Sequence, residues 1–348
     1  MRNLLFSLTF FCFAGFSASL DKPYYTCNEI PGNYGFCFTN AALRYAHISC
    51  KGDINGDGFD DIFNFSNSDS FDYIDGKFWL AWGSMSISAW VNIKDKTISV
   101  SGNNFAGRPT SYLKRMITLA HDINNDGKDD IIIGGSRYEN YTGSFYIIWA
   151  DSWEETNHIN AVTWNSTNFL QIIGNGNSRC LGESLDFVDI NGNGNLELVV
   201  SAPHANGMTG GVANLEWGGQ VYFIKFNNNW RTNETLTFGQ PPITNYSTYY
   251  GNREYCSSGK TISNVKDINC DGYDDLAFNG APQTGLGGYT VNIIYGGQTL
   301  PDDFSQEFFD GTNGFMIIDQ RANIIEPLGD VNGDNIDDMV ISAPGACD

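Results

Sequence analysis

One acidic phrase occurs five times along the chain and constrains the fold more strongly than any other feature. It reads DINGDGFDDIF from Asp53, DINNDGKDDII from Asp122, DINGNGNLELV from Asp189, DINCDGYDDLA from Asp267 and DVNGDNIDDMV from Asp330. Oxygen-bearing side chains fall at alternate positions of each copy. A Gly or Asn stands at the sixth position, where a sharp turn needs a left-handed backbone. The chain therefore repeats one structural unit, built around this loop.

The donor pattern of the phrase predicts calcium binding. Calcium takes six to eight oxygen ligands, and alternate residues of a tightly wound loop supply them. The seventh residue of each copy adds a backbone carbonyl. The predicted ligands are Asp53, Asn55, Asp57, Phe59 and Asp61; Asp122, Asn124, Asp126, Lys128 and Asp130; Asp189, Asn191, Asn193, Asn195 and Glu197; Asp267, Asn269, Asp271, Tyr273 and Asp275; and Asp330, Asn332, Asp334, Ile336 and Asp338.

The five predicted sites are not equal, and we expect three to five Ca²⁺ ions. The third copy has Asn193 in place of an acid and ends on Glu197, so it is expected to be the weakest. The fifth copy has Asn335 at the sixth position, where Asn still adopts a left-handed conformation. The alternative to calcium is a set of acidic Asx turns held by side-chain hydrogen bonds alone.

The residues that follow each loop argue against an EF-hand. An EF-hand needs a chelating Glu at position twelve and a helix on each side. Position twelve is occupied here by Asn64, Ile133, Val200, Phe278 and Ile341. Apolar, β-branched runs such as IIIGG and LVVSAP follow the loops, which indicates short buried strands. The loop is therefore predicted to join two strands, with its last acid at the start of the second.

The spacing of the loops predicts the size of the repeating unit. The loops begin 63 to 78 residues apart, a length that suits a four-stranded unit. In the third copy the strands are SLDFV, LELVVSAP, GGQVYFIKF from Gly218 and TLTFG from Thr235, and the matching third strands begin at Gly76, Gly143 and Gly288. Small antiparallel sheets bury their faces by stacking around an axis. We predict an all-β fold, a β-propeller of four-stranded blades in one domain over residues 20–348.

A short proline motif follows the loop and its strand in three copies. It is SAP at Ser201–Pro203, GAP at Gly280–Pro282 and SAP at Ser342–Pro344, while Leu181-Gly182 and Ser258-Gly259 precede the loops. This order resembles the FG-GAP repeats of the integrin α-subunit propeller and of related secreted proteins. The resemblance covers most of residues 20–348, although the first two copies lack the tripeptide. It implies cations in the loop between the first two strands of a blade.

The two ends of the chain leave the number of blades open. GNYGF at Gly32–Phe36 matches GTNGF at Gly311–Phe315, so residues near 28–40 are expected to form the fourth strand of a blade. The fifth copy is followed only by residues 345–348. Pairing the N-terminal strand with this C-terminal half-blade would close five blades. The integrin type has seven, so a five-bladed ring and an incomplete seven-bladed ring are both open.

The N-terminus predicts secretion. Residues 1–19 carry one positive charge, an apolar run over 4–16 and small residues at Ser17 and Ser19, as in a secretory signal peptide. No later segment reaches the roughly 18 apolar residues of a membrane span. Seven cysteines follow, so disulfide bonds with one odd thiol are expected, Cys27 and Cys37 being the nearest pair. Sequons predict a glycoprotein, with acceptors at Asn64, Asn140, Asn165, Asn233 and Asn245.

Charge and motifs exclude several functions. The formal net charge is −21, which repels nucleic acid, and nearly half of the 40 acidic residues lie in the five loops. No catalytic motif is found around the four histidines, and paired acids such as Asp60-Asp61 are better explained by calcium than by glycoside hydrolysis. We therefore expect a protein that is not an enzyme.

The resemblance implies a role in recognition. By likeness to the integrin type, the leading expectation is an extracellular adhesion or protein-interaction module with a protein ligand or a partner subunit. A lectin-like carbohydrate-binding propeller is the alternative, and a glycan-active enzyme ranks below both. The long connections that start at Asn103, His204 and Arg231 are rich in Asn and aromatic residues and are the candidate contact surfaces.

Overall fold

A computed structural model gives the structure of the chain. It describes residues 11–12, 36–39, 47–66, 77–81, 90–92, 118–136, 141–150, 169–209, 212–233, 235–280, 289–319 and 324–342. The chain divides into two compact units, which are described separately. The first comprises Met1–Lys114, Thr118–Ile131 and Trp149–Trp164, and the second comprises Arg115–Ile117, Ile132–Ile148 and Asn165–Asp348. The regular secondary structure of the described residues is almost entirely β-strand, as the apolar runs predict.

The first unit contains the first two acidic loops. Its described strands are β1 (Phe11–Cys12), β2 (Phe36–Thr39), β3 (His47–Gly52), β4 (Asp61–Ser66), β5 (Lys77–Ala81), β6 (Trp90–Asn92) and β7 (Thr118–His121). β3, β4 and β5 form an antiparallel sheet in sequence order, and the first loop joins β3 to β4. The predicted third strand of this copy, GKFWLAWG, is confirmed as β5.

The second unit opens with the sheet of the second repeat. β8 (Asp130–Gly134) follows the second loop, β9 (Ser144–Ile148) is the predicted third strand, and β10 (Phe169–Ile173) pairs antiparallel with β9. Every residue of β8 and β9 is buried. Strands buried on both faces read as continuous apolar runs, which explains the sequence IIIG.

The third and fourth repeats form complete four-stranded antiparallel sheets. The third-repeat strands have the order β11 (Leu185–Val188), β12 (Glu197–Ala202), β15 (Gln220–Ile224) and β17 (Tyr246–Tyr250), and the short strand β21 (Asp303–Phe304) of the fourth repeat pairs in parallel with β17 at the edge. A hairpin of β13 (Gly207–Thr209) and β14 (Val212–Leu215) lies between β12 and β15 in the sequence. The fourth-repeat sheet has the order β18 (Ile262–Lys266), β19 (Asp275–Gly280), β20 (Tyr289–Ile294) and β22 (Gly314–Asp319). These are blades of a β-propeller fold.

The fourth strand of the third repeat differs from the prediction. TLTFG was expected to pair within its own repeat, but β17 takes that place, with Gln220 opposite Tyr250. The segment Thr235–Thr237 is β16, which pairs in parallel with β10 of the second repeat. A 3-10 helix at Asn228–Thr232 precedes it and buries Trp230, so the chain leaves the sheet before it returns as β17. A threonine-rich run alone does not reveal which edge it joins.

An aromatic core fills the space between the third- and fourth-repeat sheets. The ring of Tyr249 lies 4.7 Å from that of Phe278 and 5.7 Å from that of Phe304, between ring centroids. Val188, Val199, Phe223, Ile262, Leu276 and Ile294 belong to the same buried cluster. Burying one such side chain contributes about 1.5 to 3 kcal/mol. This packing explains how small sheets become stable by stacking.

The last described strands form only half a sheet. β23 (Ile324–Gly329) and β24 (Asp338–Ser342) pair antiparallel around the fifth loop. Ile325 packs with Val265, Ala277 and Ile293 of the fourth repeat in a second buried cluster. The predicted C-terminal half-blade is thus present in the described residues.

The N-terminal strand β2 has two described neighbours. β2 pairs antiparallel with β1 and in parallel with β6. β1 falls inside the segment predicted as a signal peptide. The predicted cleavage after Ser19, Cys27, Asn140 and Asn165 lie outside the described residues, as do the side chains of Cys37 and Asn64.

Candidate functional site

The five loops share one backbone turn. Each loop joins two strands, and its last acid is the first residue of the second strand in every copy, as predicted. The sixth residue has a left-handed backbone in all five, with φ of 88° at Gly58, 88° at Gly127, 83° at Gly194, 91° at Gly272 and 66° at Asn335. The prediction that Asn335 substitutes for Gly here is confirmed.

The first aspartate of each loop organises that turn. Its two carboxylate oxygens accept hydrogen bonds from the backbone N–H groups of the fifth and sixth residues, at 2.6 to 3.1 Å in all five copies. The side chain of the fifth residue in turn accepts a hydrogen bond from the N–H of the seventh. The sequence pattern therefore encodes one hydrogen-bonded frame.

The last acid of the loop is buried at the start of the second strand. Asp61, Asp130 and Asp275 are fully buried, and Glu197 is nearly so. Asp275 Oδ2 accepts from the N–H of Ile268 at 3.0 Å, and its Oδ1 accepts from Gly296 at 2.9 Å. Burial raises the pKa of Asp275 to about 6 and also raises the pKa of Glu197. A buried carboxylate of this kind favours any cation that would offset the lost hydration.

The last acid of the fifth loop, Asp338, is less buried than its counterparts in the other loops. Asp338 accepts from the N–H of Val331 at 2.9 Å, which matches the bond from Ile268 to Asp275, but it is only half-buried. In the fourth repeat the third strand, β20, runs directly into Gly296, whose N–H binds Asp275. The described residues of the fifth repeat form only two strands. The third strand is therefore what buries the last acid.

One buried oxygen in the second loop has no hydrogen-bond partner. Asn124 donates from Nδ2 to Asp130 Oδ2 at 2.9 Å, and its Oδ1 is buried without a partner. A buried, unsatisfied amide oxygen costs about 1 to 3 kcal/mol. Asn191 of the third loop also donates to the last acid, Glu197. The Asn124 oxygen stands at a predicted calcium-ligand position, so its environment fits an oxygen-seeking cation.

Neighbouring loops contact one another. In the first unit, Asp129 Oδ2 accepts from the N–H of Asp53 at 2.8 Å, and the N–H of Asp129 donates to the Asp53 carbonyl at 2.9 Å. Burial raises the pKa of Asp129 and lowers that of His121 beside it. In the second unit, the Tyr273 ring fills the space beside Gly192, where a Cβ would lie 2.4 Å from Cε1. Within each unit, these neighbouring loops are thus joined by direct contacts.

The predicted ligands are assembled as loops rather than as compact acidic clusters. Within the described part of the chain, no group of three His, Cys, Asp or Glu side chains could hold a metal ion. The first acid of each loop turns toward its own loop amides, and the last acid accepts hydrogen bonds at the strand start. Asn side chains and the seventh carbonyl therefore have to complete any oxygen ligand set.

The structure also pairs two residues that sequence reasoning missed. Cys180 Sγ lies 3.1 Å from His204 Nδ1. Cys180 directly precedes Leu181-Gly182, and His204 directly follows the SAP tripeptide. The two motifs meet because the N–H of Gly182 donates to the Ser201 carbonyl at 2.9 Å. The sequence signal for this pair is that Cys180 and His204 each stand next to a repeat motif, and the fold brings the two motifs together.

Comparison with known families matches the third repeat. The FG-GAP repeat model matches residues 181–224, which run from Leu181 to the end of β15. The chain carries an FG-GAP repeat. The match includes β11, the third acidic loop, β12 and the SAP tripeptide.

A curated protein is similar over most of this FG-GAP chain. Integrin alpha-4 from Xenopus laevis is 24% identical over 335 residues, which are 92% of this chain and 28% of that protein. The chain therefore spans less than a third of the length of the relative that it matches. Together the comparisons support an integrin-α-like FG-GAP protein with propeller-type repeats.

Proposed function

We propose that the chain is a secreted, calcium-binding propeller that acts as an extracellular adhesion or protein-interaction module without catalytic activity of its own. The similarity to integrin alpha-4 across 92% of the chain supports the adhesion part. No helix among the described residues is long and apolar enough to cross a membrane. By the same similarity, a partner subunit is a candidate ligand.

The loop geometry supports the calcium part. The observation that carries it is the common hydrogen-bonded frame of five loops, in one of which the buried Asn124 oxygen lacks a partner. Only oxygen donors occupy the predicted ligand positions, and calcium prefers oxygen. Calcium would be held by the alternate side chains and the seventh carbonyl of each loop. It would offset the charge of the buried last acids and fix the turn.

The contact surface is proposed on the side opposite the loops. The third acidic loop joins β11 to β12, so the connections from β12 to β15 and from β17 to β18 lie at the other ends of these strands. Tyr255 is 60% exposed there and meets Trp217 edge-on at 5.7 Å between ring centroids. Exposed aromatic residues on a rigid frame are common anchors in interfaces.

Removal of calcium tests the calcium part. Calcium that binds only the folded chain at one to ten times its Kd adds about 0.4 to 1.4 kcal/mol per site, or roughly 2 to 7 kcal/mol for five sites. We expect the melting temperature of the full chain to fall by many degrees in EDTA and to return when calcium is restored. Asn124→Leu should reduce the calcium stoichiometry by about one in native mass spectrometry. An EDTA melt identical to that in calcium would refute calcium binding.

Capture of a partner tests the adhesion part separately. The immobilised full chain is incubated with extracellular proteins in calcium buffer and then eluted with EDTA or with simple sugars. A protein released by EDTA and not by sugars supports the adhesion module. Release by a simple sugar supports the lectin-like alternative, and turnover of a glycan substrate would contradict the proposed lack of catalysis.

A further inference from the structure

The contact between Cys180 and His204 forms a thiol–imidazole pair outside the acidic loops. The Sγ to Nδ1 distance of 3.1 Å is within hydrogen-bond range for sulfur. An imidazole at this distance can take the thiol proton, and the thiolate is the nucleophilic form of cysteine. The pair therefore has the two groups that an activated thiol needs.

The surroundings hold both members of the pair in place. The His204 imidazole stacks on the Trp217 indole, with 4.8 Å between ring centroids and 14° between planes. The N–H of His204 donates to the Arg179 carbonyl at 3.2 Å, and the N–H of Cys180 donates to the Tyr141 carbonyl at 2.7 Å. Cys180 has a left-handed φ of 63°. The geometry is thus fixed by backbone and ring contacts, before any ligand arrives.

We propose that Cys180 is a modification site that reacts with low-molecular-weight disulfides, with His204 as its base. The Cys180 proton moves to His204 Nδ1, and the thiolate sulfur attacks one sulfur of the disulfide RS–SR. A Cys180–S–S–R bond forms and the S–S bond of the reagent breaks. The leaving thiolate takes the proton from His204 and departs as RSH, so Cys180 is oxidised and one reagent sulfur is reduced.

The same chain contains a matched comparison for this thiol. Cys256 has the same exposed fraction as Cys180, 4%. Its Sγ lies 2.9 Å from the Gly218 carbonyl, to which it donates, and 3.4 Å from Ser258 Oγ. A carbonyl oxygen does not act as a base toward a thiol, whereas an imidazole nitrogen does. The two cysteines therefore differ in partner rather than in burial.

Arg179 and Glu183 flank Cys180 in the sequence, and Glu216 precedes Trp217. Arg179 precedes Cys180 and is bonded through its backbone carbonyl to His204. Glu183 accepts from the Ser136 hydroxyl at 2.5 Å, and Glu216 accepts from the Tyr255 hydroxyl at 2.8 Å. His204 Nδ1 lies within hydrogen-bond distance of Cys180 Sγ, so replacing His204 tests the mechanism.

The expected size of the effect follows from general thiol chemistry. Pairing with imidazole lowers a thiol pKa from about 8.5 to between about 3.5 and 7.5. At pH 6 a thiol of pKa about 7 is roughly 30 times more ionised than one of pKa about 8.5, and its lower basicity removes a factor of about five. A net advantage of roughly fivefold to tenfold at pH 6 is therefore expected for Cys180.

The test uses the purified full chain in calcium buffer and cystamine as the disulfide. Adducts are trapped with acid at intervals, and peptide mapping by mass spectrometry gives a separate rate for Cys180, Cys256 and the exposed Cys270. We expect Cys180 to react about five to ten times faster than Cys256 at pH 6. In His204→Phe, which keeps a ring over Trp217, that advantage should disappear, while the rates of Cys256 and Cys270 stay within twofold.

Three outcomes would overturn the proposal. Cys180 could react no faster than Cys256 at pH 6, it could form no adduct at any pH up to 8, or its rate could survive in His204→Phe. The melting temperature of each variant in calcium shows whether it is folded. If His204→Phe does not fold, His204→Gln takes its place, because a Gln amide cannot take the thiol proton. The advantage of Cys180 over Cys256 should disappear there as well, and a Cys180 rate equal to that of wild type would contradict the assignment.

Discussion

A partly buried acid between the third and fourth repeats gives the sharpest prediction about stability. Asp186 of β11 accepts from the N–H of Asn264 in β18 at 2.6 Å and from the N–H of Phe187 at 2.8 Å. Asn264 also donates from Nδ2 to the Phe187 carbonyl at 2.9 Å. Burial raises the pKa of Asp186 to about 6, against an ordinary value of 3.8. The perturbation is Asp186→Asn, which keeps the shape and removes the ionisation.

The sign and the size follow from proton linkage. The folded chain holds the Asp186 proton more tightly than the unfolded chain, so stability falls as the pH rises from about 4 to about 6 and stays lower above that. A pKa difference of about two corresponds to about 3 kcal/mol, or about 2 kcal/mol after partial solvent exposure. The Asp186→Asn variant lacks this pH-dependent loss of stability, because Asn does not ionise. Its free energy of unfolding, relative to wild type, should rise by about 1.5 to 2.5 kcal/mol between pH 4 and pH 7, because the unfolded carboxyl is already about half ionised at pH 4.

The assay is urea unfolding in excess calcium at pH 4, 5, 6 and 7, followed by tryptophan fluorescence. Asp302→Asn is the control, because Asp302 is exposed and its only described hydrogen bond uses its backbone carbonyl, which accepts from Thr248. The control should track wild type at every pH. If Asp186→Asn also tracks wild type, within about 0.5 kcal/mol, the buried carboxylate does not ionise as argued and the reasoning fails.

Two further substitutions test the backbone and the loops. In Gly251→Ala the new Cβ would lie 1.8 Å from the Gly218 carbonyl oxygen, so we expect urea unfolding to show a loss of about 2 to 3 kcal/mol in the free energy of unfolding. The control is Gly176→Ala, whose new Cβ has no atom within 4 Å and which should change this free energy by less than about 1 kcal/mol. Asn193→Asp adds a carboxylate to the third loop and should raise its calcium affinity roughly threefold to tenfold by titration calorimetry. Asn227→Asp adds the same charge outside the loops, and an equal gain there would show a general charge effect instead.

The loops and the inner strands were predictable from sequence because their signals are local. The acid spacing fixed where each loop begins, and the apolar runs after it were fully buried strands, as in β8 and β12. The left-handed backbone predicted for the sixth loop residue is also found at Asn335, because the turn closes only with that conformation. Calcium binding stays a prediction, since it depends on an ion and not on the chain alone.

The outer strands were not predictable because their partners are distant in sequence. TLTFG reads as a strand, but its pairing with β10 depends on where the 3-10 helix at Asn228–Thr232 directs the chain. The pair of Cys180 and His204 is 24 residues apart and depends on the bond from Gly182 to Ser201. Neither arrangement leaves a periodic pattern in the sequence.

The short parallel strands follow one rule that explains how repeats are joined. β16 lies between the third and fourth strands of its repeat and pairs with β10, the fourth strand of the preceding repeat. β21 (Asp303–Phe304) lies between β20 and β22 and pairs in parallel with β17, the fourth strand of the third repeat. In the first repeat, β6 follows the third strand β5 and pairs in parallel with β2. An exposed edge strand invites pairing with other chains, so each repeat covers the edge of the one before it. Because β6 follows β5 of the first repeat, β2 occupies the place of a fourth strand, as the match between GNYGF and GTNGF predicts.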